Sequence, residues 1–310
     1  MKKILFLVLF ATNISALACD NCNVYVGINP NDFYHNIGIR LRSRFHSGTY
    51  DNSGLLMLKH GGVEPIYANS TIKETYQRLE LAGKYYWNPK WNTEMVVPYV
   101  MNTQEINQSL EYFVQGLGDI MLLQNYLVFN TKDHSDTITF RHRLSIGIGL
   151  KIPTGRINIE RPKGIPNIDL QPGTGSWDGV LSLTYSAMVK KSGVLVNGNY
   201  KMNTFNKNDF KYGNTTNLTT SLFYLFQFGK KVQLMPSLGV YAEYFSHDYF
   251  NNELSENSGG NTWMIDAGIS NYFNNFKLQV NYQYALSNSL KDEQLIPTKW
   301  RYNVGAYYNF

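Results

Sequence analysis

The stretch Trp300-Arg301-Tyr302-Asn303-Val304-Gly305-Ala306-Tyr307-Tyr308-Asn309-Phe310 decides how the rest of the chain is read. Side chains of an extended strand alternate with period 2, so Trp300, Tyr302, Val304, Ala306, Tyr308 and Phe310 share one side. Arg301, Asn303, Gly305, Tyr307 and Asn309 share the other. One face is apolar and aromatic, and the other is polar and charged. A soluble sandwich strand can alternate this way, and so can a strand with lipid on one side and water on the other. The remaining strands and their connections must separate the two.

Composition narrows the choice. The chain has 310 residues, room for one large domain or two ordinary ones. Its mean hydropathy is −0.31. After residue 18 no run approaches the roughly eighteen apolar residues of a membrane helix, which argues against a helical membrane protein. Aromatics make up 15% of the residues, with 23 Tyr, while charged residues make up only 16%. That balance suits strands with one greasy and one wet face, girdled by Tyr and Trp. The formal net charge of +5 falls by two if Lys2 and Lys3 leave with a leader, and no basic patch suits a nucleic acid.

The N-terminus has the form of such a leader. Met1-Lys2-Lys3 precedes the apolar run from Ile4 to Phe10, and Ala16-Leu17-Ala18 offers an A-x-A cleavage site. The expected organisation is a cleaved signal peptide over 1–18, a short periplasmic lead-in over 19–32, and a barrel over 33–310. The lead-in opens with Cys19-Asp20-Asn21-Cys22. Oxidising conditions after export favour a disulfide between Cys19 and Cys22, and lipidation of Cys19 is the alternative. Two thiolates do not complete a metal site, and His35 is the closest further ligand, so no metal and no cofactor are expected.

Alternating stretches recur along the mature sequence at about 36–46, 79–87, 91–103, 116–130, 138–151, 177–189, 194–202, 218–228, 232–244, 263–273, 276–286 and 300–310. Short turns such as Asn88-Pro89-Lys90, Lys190-Lys191-Ser192-Gly193, Gly229-Lys230-Lys231 and Asn274-Asn275 take every second connection. Long loops at about 47–71, 105–115, 153–176, 204–214, 247–261 and 288–298 take the others. A transmembrane barrel has this asymmetry, with short periplasmic turns and long extracellular loops. The fold expected is therefore all-β: a single transmembrane antiparallel β-barrel of about 12 strands, embedded in outer-membrane lipid. Ending on an aromatic resembles the closing strand of bacterial outer-membrane barrels, and this implies that Phe310 is read by the barrel-assembly machinery.

Alternation also assigns a lumen. A cationic side chain at the bilayer midplane costs about 2–4 kcal/mol, so apolar rows face lipid and charged rows face inward. Arg40, Arg42, Arg44, Glu80, Lys84, Glu94, Arg141, Arg143, Asp178, Lys201, Glu243, Asp266, Lys277 and Arg301 are assigned inward. Closing the first strand on the last brings Arg40, Arg42 and Arg44 toward Arg301. Such a row can select anions, or it can be spent on inward Asp and Glu that stiffen a narrow barrel.

Three patches remain: Gly116-Leu117-Gly118-Asp119, Lys151-Ile152-Pro153-Thr154-Gly155, and Pro172-Gly173-Thr174-Gly175-Ser176-Trp177-Asp178. In this order and spacing they resemble the transporter-like barrels catalogued under the MetA-pathway of phenol degradation. The resemblance implies an outer-membrane channel and not an enzyme, and it does not carry phenol over as the solute. Physically, Pro153, Thr154, Gly155, Gly173 and Gly175 suit turns at a barrel rim. The inward carboxylates Asp119 and Asp178 are expected to pair with Arg141 or Arg143. Four of the chain's ten prolines, from Pro153 to Pro172, fall in the 153–176 loop, which is expected to fold over or into the mouth.

An outer-membrane hydrolase would need a Ser–His–Asn set on its outer face. His142 lies on an apolar row while Ser145 and Ser182 point inward, so no such set forms. The function expected is passive uptake of small aromatic or anionic solutes. A closed barrel acting through its N-terminal Cys motif is the alternative.

Overall fold

The alternation of residues 300–310 runs through the chain as a closed antiparallel barrel of twelve strands. The computed structural model describes residues 34–50, 54–57, 63–66, 70–131, 140–157, 159, 168–229, 231–256, 258–290 and 297–310. The barrel strands are β1 (Asn36–Tyr50), β2 (Ser70–Asn88), β3 (Trp91–Ile106), β4 (Ser109–Leu117 and Ile120–Asn130), β5 (Phe140–Ile152) and β6 (Asp178–Val189). They continue as β7 (Ser192–Met202), β8 (Thr215–Tyr224 and Phe226–Phe228), β9 (Val232–Phe245), β10 (Gly260–Phe273), β11 (Phe276–Leu290) and β12 (Thr298–Asn309). The sheet holds 14 hydrogen-bonded segments, and β4 and β8 are each broken once, which leaves twelve strands. Each strand pairs with its sequence neighbours, and β1 pairs with β12 from Asn36↔Asn309 to His46↔Thr298, which closes the ring.

The two faces are inverted relative to a soluble protein. Ile37, Ile39, Leu79, Leu81, Ile146, Ile148, Leu181, Leu183, Leu278 and Val280 are exposed on the outside. Charged and amide side chains are buried inside, among them Arg40, Glu80, Lys201, Glu243 and Asn199. So continuous an apolar outer surface is stable only against lipid. Aromatics mark both rims of this band. Trp87, Trp91, Phe226, Phe228, Phe273 and Phe276 stand at the tight-turn end, and Trp177, Tyr244, Trp263 and Tyr284 stand at the loop end. The barrel therefore has the fold of an outer-membrane protein.

The tight turns follow from their residues. Asn88 Oδ1 accepts the backbone N–H groups of Lys90 (2.9 Å) and Trp91 (3.0 Å), an Asx turn that reverses the chain. The seam is also tied at this end, where Phe310 N donates to His35 O (2.9 Å) and the two rings stack with centroids 5.5 Å apart.

The sequence pattern places two features differently. The first alternating stretch runs on past residue 46 to Tyr50, and β2 begins at Ser70. Residues 105–115 are not a loop. β3 and β4 instead form a continuous hairpin over a two-residue turn, with Asn107 and Gln108 at φ 49° and 67°. Both positive values match the turn whose twist fits antiparallel strands. Hence one connection at the loop end is as short as the periplasmic turns. Tyr112 and Val114 disguised this stretch, because they are apolar and yet buried inside the barrel. The signal peptide, the lead-in, Cys19 and Cys22 lie outside the described residues.

Candidate functional site in the barrel lumen

The lumen wall of β1, β2, β3 and β12 is charged. Lys84 meets Glu94 at 2.7 Å near the periplasmic turn. Moving along β1, Arg40 meets Glu80 at 2.5 Å, and Arg42 reaches the other oxygen of the same carboxylate at 3.3 Å. Arg44 stands opposite Tyr76 of β2 and Arg301 of β12 in the strand register. Arg301 donates from Nη2 to Glu243 Oε2 on β9 (2.8 Å) and lies over the Tyr241 ring. Every charged residue that the alternation assigned inward is buried or half-buried. The row is thus partly spent: Glu80 serves both Arg40 and Arg42.

Across the ring from β1 stands β7, and the wall there is amide and hydroxyl. Asn197 Nδ2 donates to Thr184 Oγ1 (2.9 Å), and Asn199 Nδ2 donates to Asn197 Oδ1 (2.7 Å) and Asn217 Oδ1 (3.0 Å). Ser182, Ser186, Thr215 and Thr219 extend this surface on β6 and β8. The lumen thus has guanidinium groups on one side and mainly amides and hydroxyls on the other, with Lys201 at the loop end of β7.

The three sequence patches converge on one clasp at the loop end. Asp119 sits in the break of β4. Its Oδ1 accepts from Gly155 N (2.9 Å), and its Oδ2 accepts from Thr174 N (2.9 Å), Thr174 Oγ1 (2.7 Å) and Lys151 Nζ (2.8 Å). Lys151 Nζ also meets Asp178 Oδ2 at 2.8 Å and bonds Thr174 Oγ1. Thr154 Oγ1 donates to Gly118 O (2.9 Å) and accepts from Ile120 N (3.0 Å), which bridges the backbone across the break. Gly155 and Gly173 cross in contact, so a Cβ on Gly173 would lie 2.5 Å from the Gly155 backbone. Gly175 has φ +73°, which only glycine adopts freely. The expected partners of Asp119 and Asp178 are therefore corrected: both close on Lys151, not on Arg141 or Arg143. Arg141 lies ten residues from Lys151 on β5, about 33 Å at the usual strand rise, near the other mouth.

From this clasp the chain enters the lumen. The short 3-10 turn Ile168–Leu170 is held against opposite walls. On one side Leu170 is fully buried against Tyr76, Tyr112 and Val114, and its carbonyl accepts from Asn102 Nδ2 (3.0 Å). On the other side Ile168 packs on Phe210, Tyr212 and Phe245, and Tyr212 Oη donates to the Ile168 carbonyl (3.2 Å). Residues 168–170 thus form a strap across the lumen beneath the loops. The sequence signalled its anchor through the patches, but not its seat, because Tyr112 and Val114 fall within residues 105–115, which the pattern reads as a loop.

His142 lies on the outer surface among Phe129, Phe140 and Tyr185, with centroid separations of 4.8, 5.1 and 6.3 Å. Ser182 is buried on the inner face, so these groups are on opposite sides of the wall.

No family model and no curated protein matches this sequence. Among solved structures, the chain is similar to a COG4313 outer membrane channel from Pseudomonas putida F1, at 14% identity and a TM-score of 0.64. That match covers 91% of this chain and all (100%) of the other. The β-domain of the Bordetella autotransporter BrkA matches at 9% identity and a TM-score of 0.47, covering 89% of this chain and 100% of that one. The translocator domain of NalP from Neisseria meningitidis matches at 13% identity and a TM-score of 0.42, covering 92% and 91%. The first likeness establishes a shared fold. Similarity as loose as the other two says nothing about shared function.

Proposed function

We propose that this protein is a channel of the outer membrane for passive passage of small molecules, with aromatic and anionic solutes favoured. One observation carries the proposal: a guanidinium row on β1 stands across a closed, lipid-facing barrel from the amides Asn197 and Asn199 of β7, flanked by hydroxyls of β6 and β8. Rows of cationic side chains favour anions in pores, and neutral hydrogen-bonding groups opposite them replace lost water without trapping the ion. In this reading the strap at 168–170, held between opposite walls, is the constriction of the path. The fold likeness to the Pseudomonas channel and the resemblance of the three patches to the phenol-degradation barrels both support a channel over an enzyme.

The test is solute entry into liposomes holding the purified, folded barrel. Small sugars, benzoate and uncharged phenols are compared. Benzoate is expected to enter faster than a sugar of similar size. Entry of none of them would point to a closed barrel instead, a reading that the bridged walls at Ile168 and Leu170 favour.

A further inference from the structure

The strap at residues 168–170 rests on two unequal seats. Leu170 is fully buried against Tyr76, Tyr112 and Val114, and its carbonyl accepts from Asn102 Nδ2 (3.0 Å). Ile168 is only half-buried where it packs on Phe210, Tyr212 and Phe245. Its carbonyl accepts twice, from Tyr212 Oη (3.2 Å) and from Gln171 N (3.1 Å). The Tyr212 bond can therefore be given up without orphaning a backbone acceptor. Of the two ends of the strap, the one at Ile168 is the one that can lift.

The seat beneath Ile168 keeps its shape by its own bonds. Phe210 N donates to Asn206 Oδ1 (3.1 Å), and Gly213 N, next to Tyr212, donates to Asp248 Oδ1 (2.7 Å). The rings of Phe210 and Tyr212 meet edge to face with centroids 4.6 Å apart, and Phe245 stands at the end of β9. Phe210 is paired in register with Phe250, which is 40% exposed, so the aromatic surface continues from the seat to solvent. Lys211 turns to the other side of this short pair, over the rings of Phe205 and Tyr249 at 5.7 and 5.1 Å. Two carboxylates lie beside the seat, Asp169 following Ile168 and Asp248 bonded to Gly213.

We infer that Phe210, Tyr212 and Phe245 form a binding site for an uncharged aromatic solute bearing an acceptor oxygen, and that Ile168 is the strap's stand-in for that solute. The inference rests on the channel proposed above and names the chemistry of its aromatic solutes. Ile168 offers the seat an apolar body and a neutral carbonyl oxygen, and an aromatic amide, aldehyde or phenol offers the same two groups. A flat ring adds edge and face contacts with the three aromatic rings that an aliphatic side chain cannot make. Its oxygen takes over the Tyr212 hydroxyl while the Ile168 carbonyl keeps Gln171 N. The strap remains tethered meanwhile by Leu170 on the opposite wall. A carboxylate at the same place would stand close to Asp169 and Asp248, which disfavours aromatic acids there.

The test uses the folded full chain in detergent micelles, with 4-fluorobenzamide as the probe and its fluorine resonance as the readout. Saturable broadening is expected, with 4-fluorobenzoate binding about tenfold more weakly. Tyr212→Phe keeps the ring and removes the donor, which leaves the bound oxygen unpaired, and should weaken benzamide binding by about threefold to tenfold. Ile168→Ala weakens the competing strap and should tighten binding by about threefold or more, a direction that a purely structural contact would not produce. Tyr200→Phe removes a hydroxyl from the outer face of β7 and should leave binding unchanged. No saturable binding to wild type would overturn the site. So would an Ile168→Ala variant that binds no tighter, equal losses in the Tyr212 and Tyr200 variants, or benzoate held as well as benzamide. Liposome entry separates the two proposals. Benzamide entry without saturable binding removes only the site, and binding without entry removes only the channel.

Discussion

Lys151 is the residue at which the clasp is closed. Its ammonium lies 2.8 Å from both Asp119 and Asp178, and all three side chains are almost fully withdrawn from water. Breaking a buried pair from one side costs more than removing it whole, because the stranded charge stays desolvated. Lys151→Met is therefore expected to lower folding stability by about 3 kcal/mol, measured by urea unfolding in vesicles. Adding Asp119→Asn and Asp178→Asn to the same chain should recover most of that loss. A triple variant as unstable as the single one would show that the clasp holds by shape and not by charge. At this scale the sequence was half legible. Period 2 told which face Asp119 and Asp178 occupy, and the motifs marked them. It could not tell height along the wall, and height decides that Lys151 and not Arg141 is the partner. The pairing of Arg42 with a glutamate already held by Arg40 was hidden for the same reason.

Among the elements, the strap at 168–170 and the hairpin of β3 and β4 explain one another. Tyr112 and Val114 break the rule that apolar side chains face lipid, and they can do so because Leu170 covers them from the lumen side. A reading based on alternation alone had to treat residues 105–115 as irregular, since the cover comes from a distant segment. By contrast, β5 and β12 were legible throughout, and β1 as far as residue 46, as nothing among the described residues packs on their inner faces that would reverse the polarity rule. Leu170 is also the strap's apolar anchor. Truncating a buried leucine costs about 2–5 kcal/mol. That is enough to detach a short segment held otherwise by the Asn102 and Tyr212 hydrogen bonds. Leu170→Ser should raise single-channel conductance in planar bilayers while the barrel stays folded. An unchanged conductance would mean that the strap does not limit the path.

At the scale of the molecule, the barrel's inverted faces make the position of a charge matter more than its presence. Ile39 faces lipid and sits between Leu81 and Ala306 in the register, while Arg40 beside it is buried in the lumen. Ile39→Arg should destabilise the folded barrel by about 2–4 kcal/mol in vesicles. The same measurement on Gln279→Arg, on the inner face of β11, should show a markedly smaller loss. Equal losses would contradict the assignment of faces. The strand number, the closure of β1 on β12 and the inward set of charges could all be read from composition and period. Those properties follow from the solvent on each side, and the solvent acts on every residue alike. The clasp and the strap follow from contacts between particular distant residues, which periodicity does not encode.

Closure also orders events in time. β1 is synthesised first among the strands and β12 last, so the ring waits for its final member before the long loop between them can be shut. Until then Arg42 and Arg44 are on an open edge, while Asn281, Gln283, Arg301 and Asn303 are far away on the late strands. A seam slipped by one residue would turn each of these side chains to the wrong face. The closed seam is therefore a certificate of correct assembly. Arg44 found on the inner face directly across from Arg301 reports that the last strand has met the first in register.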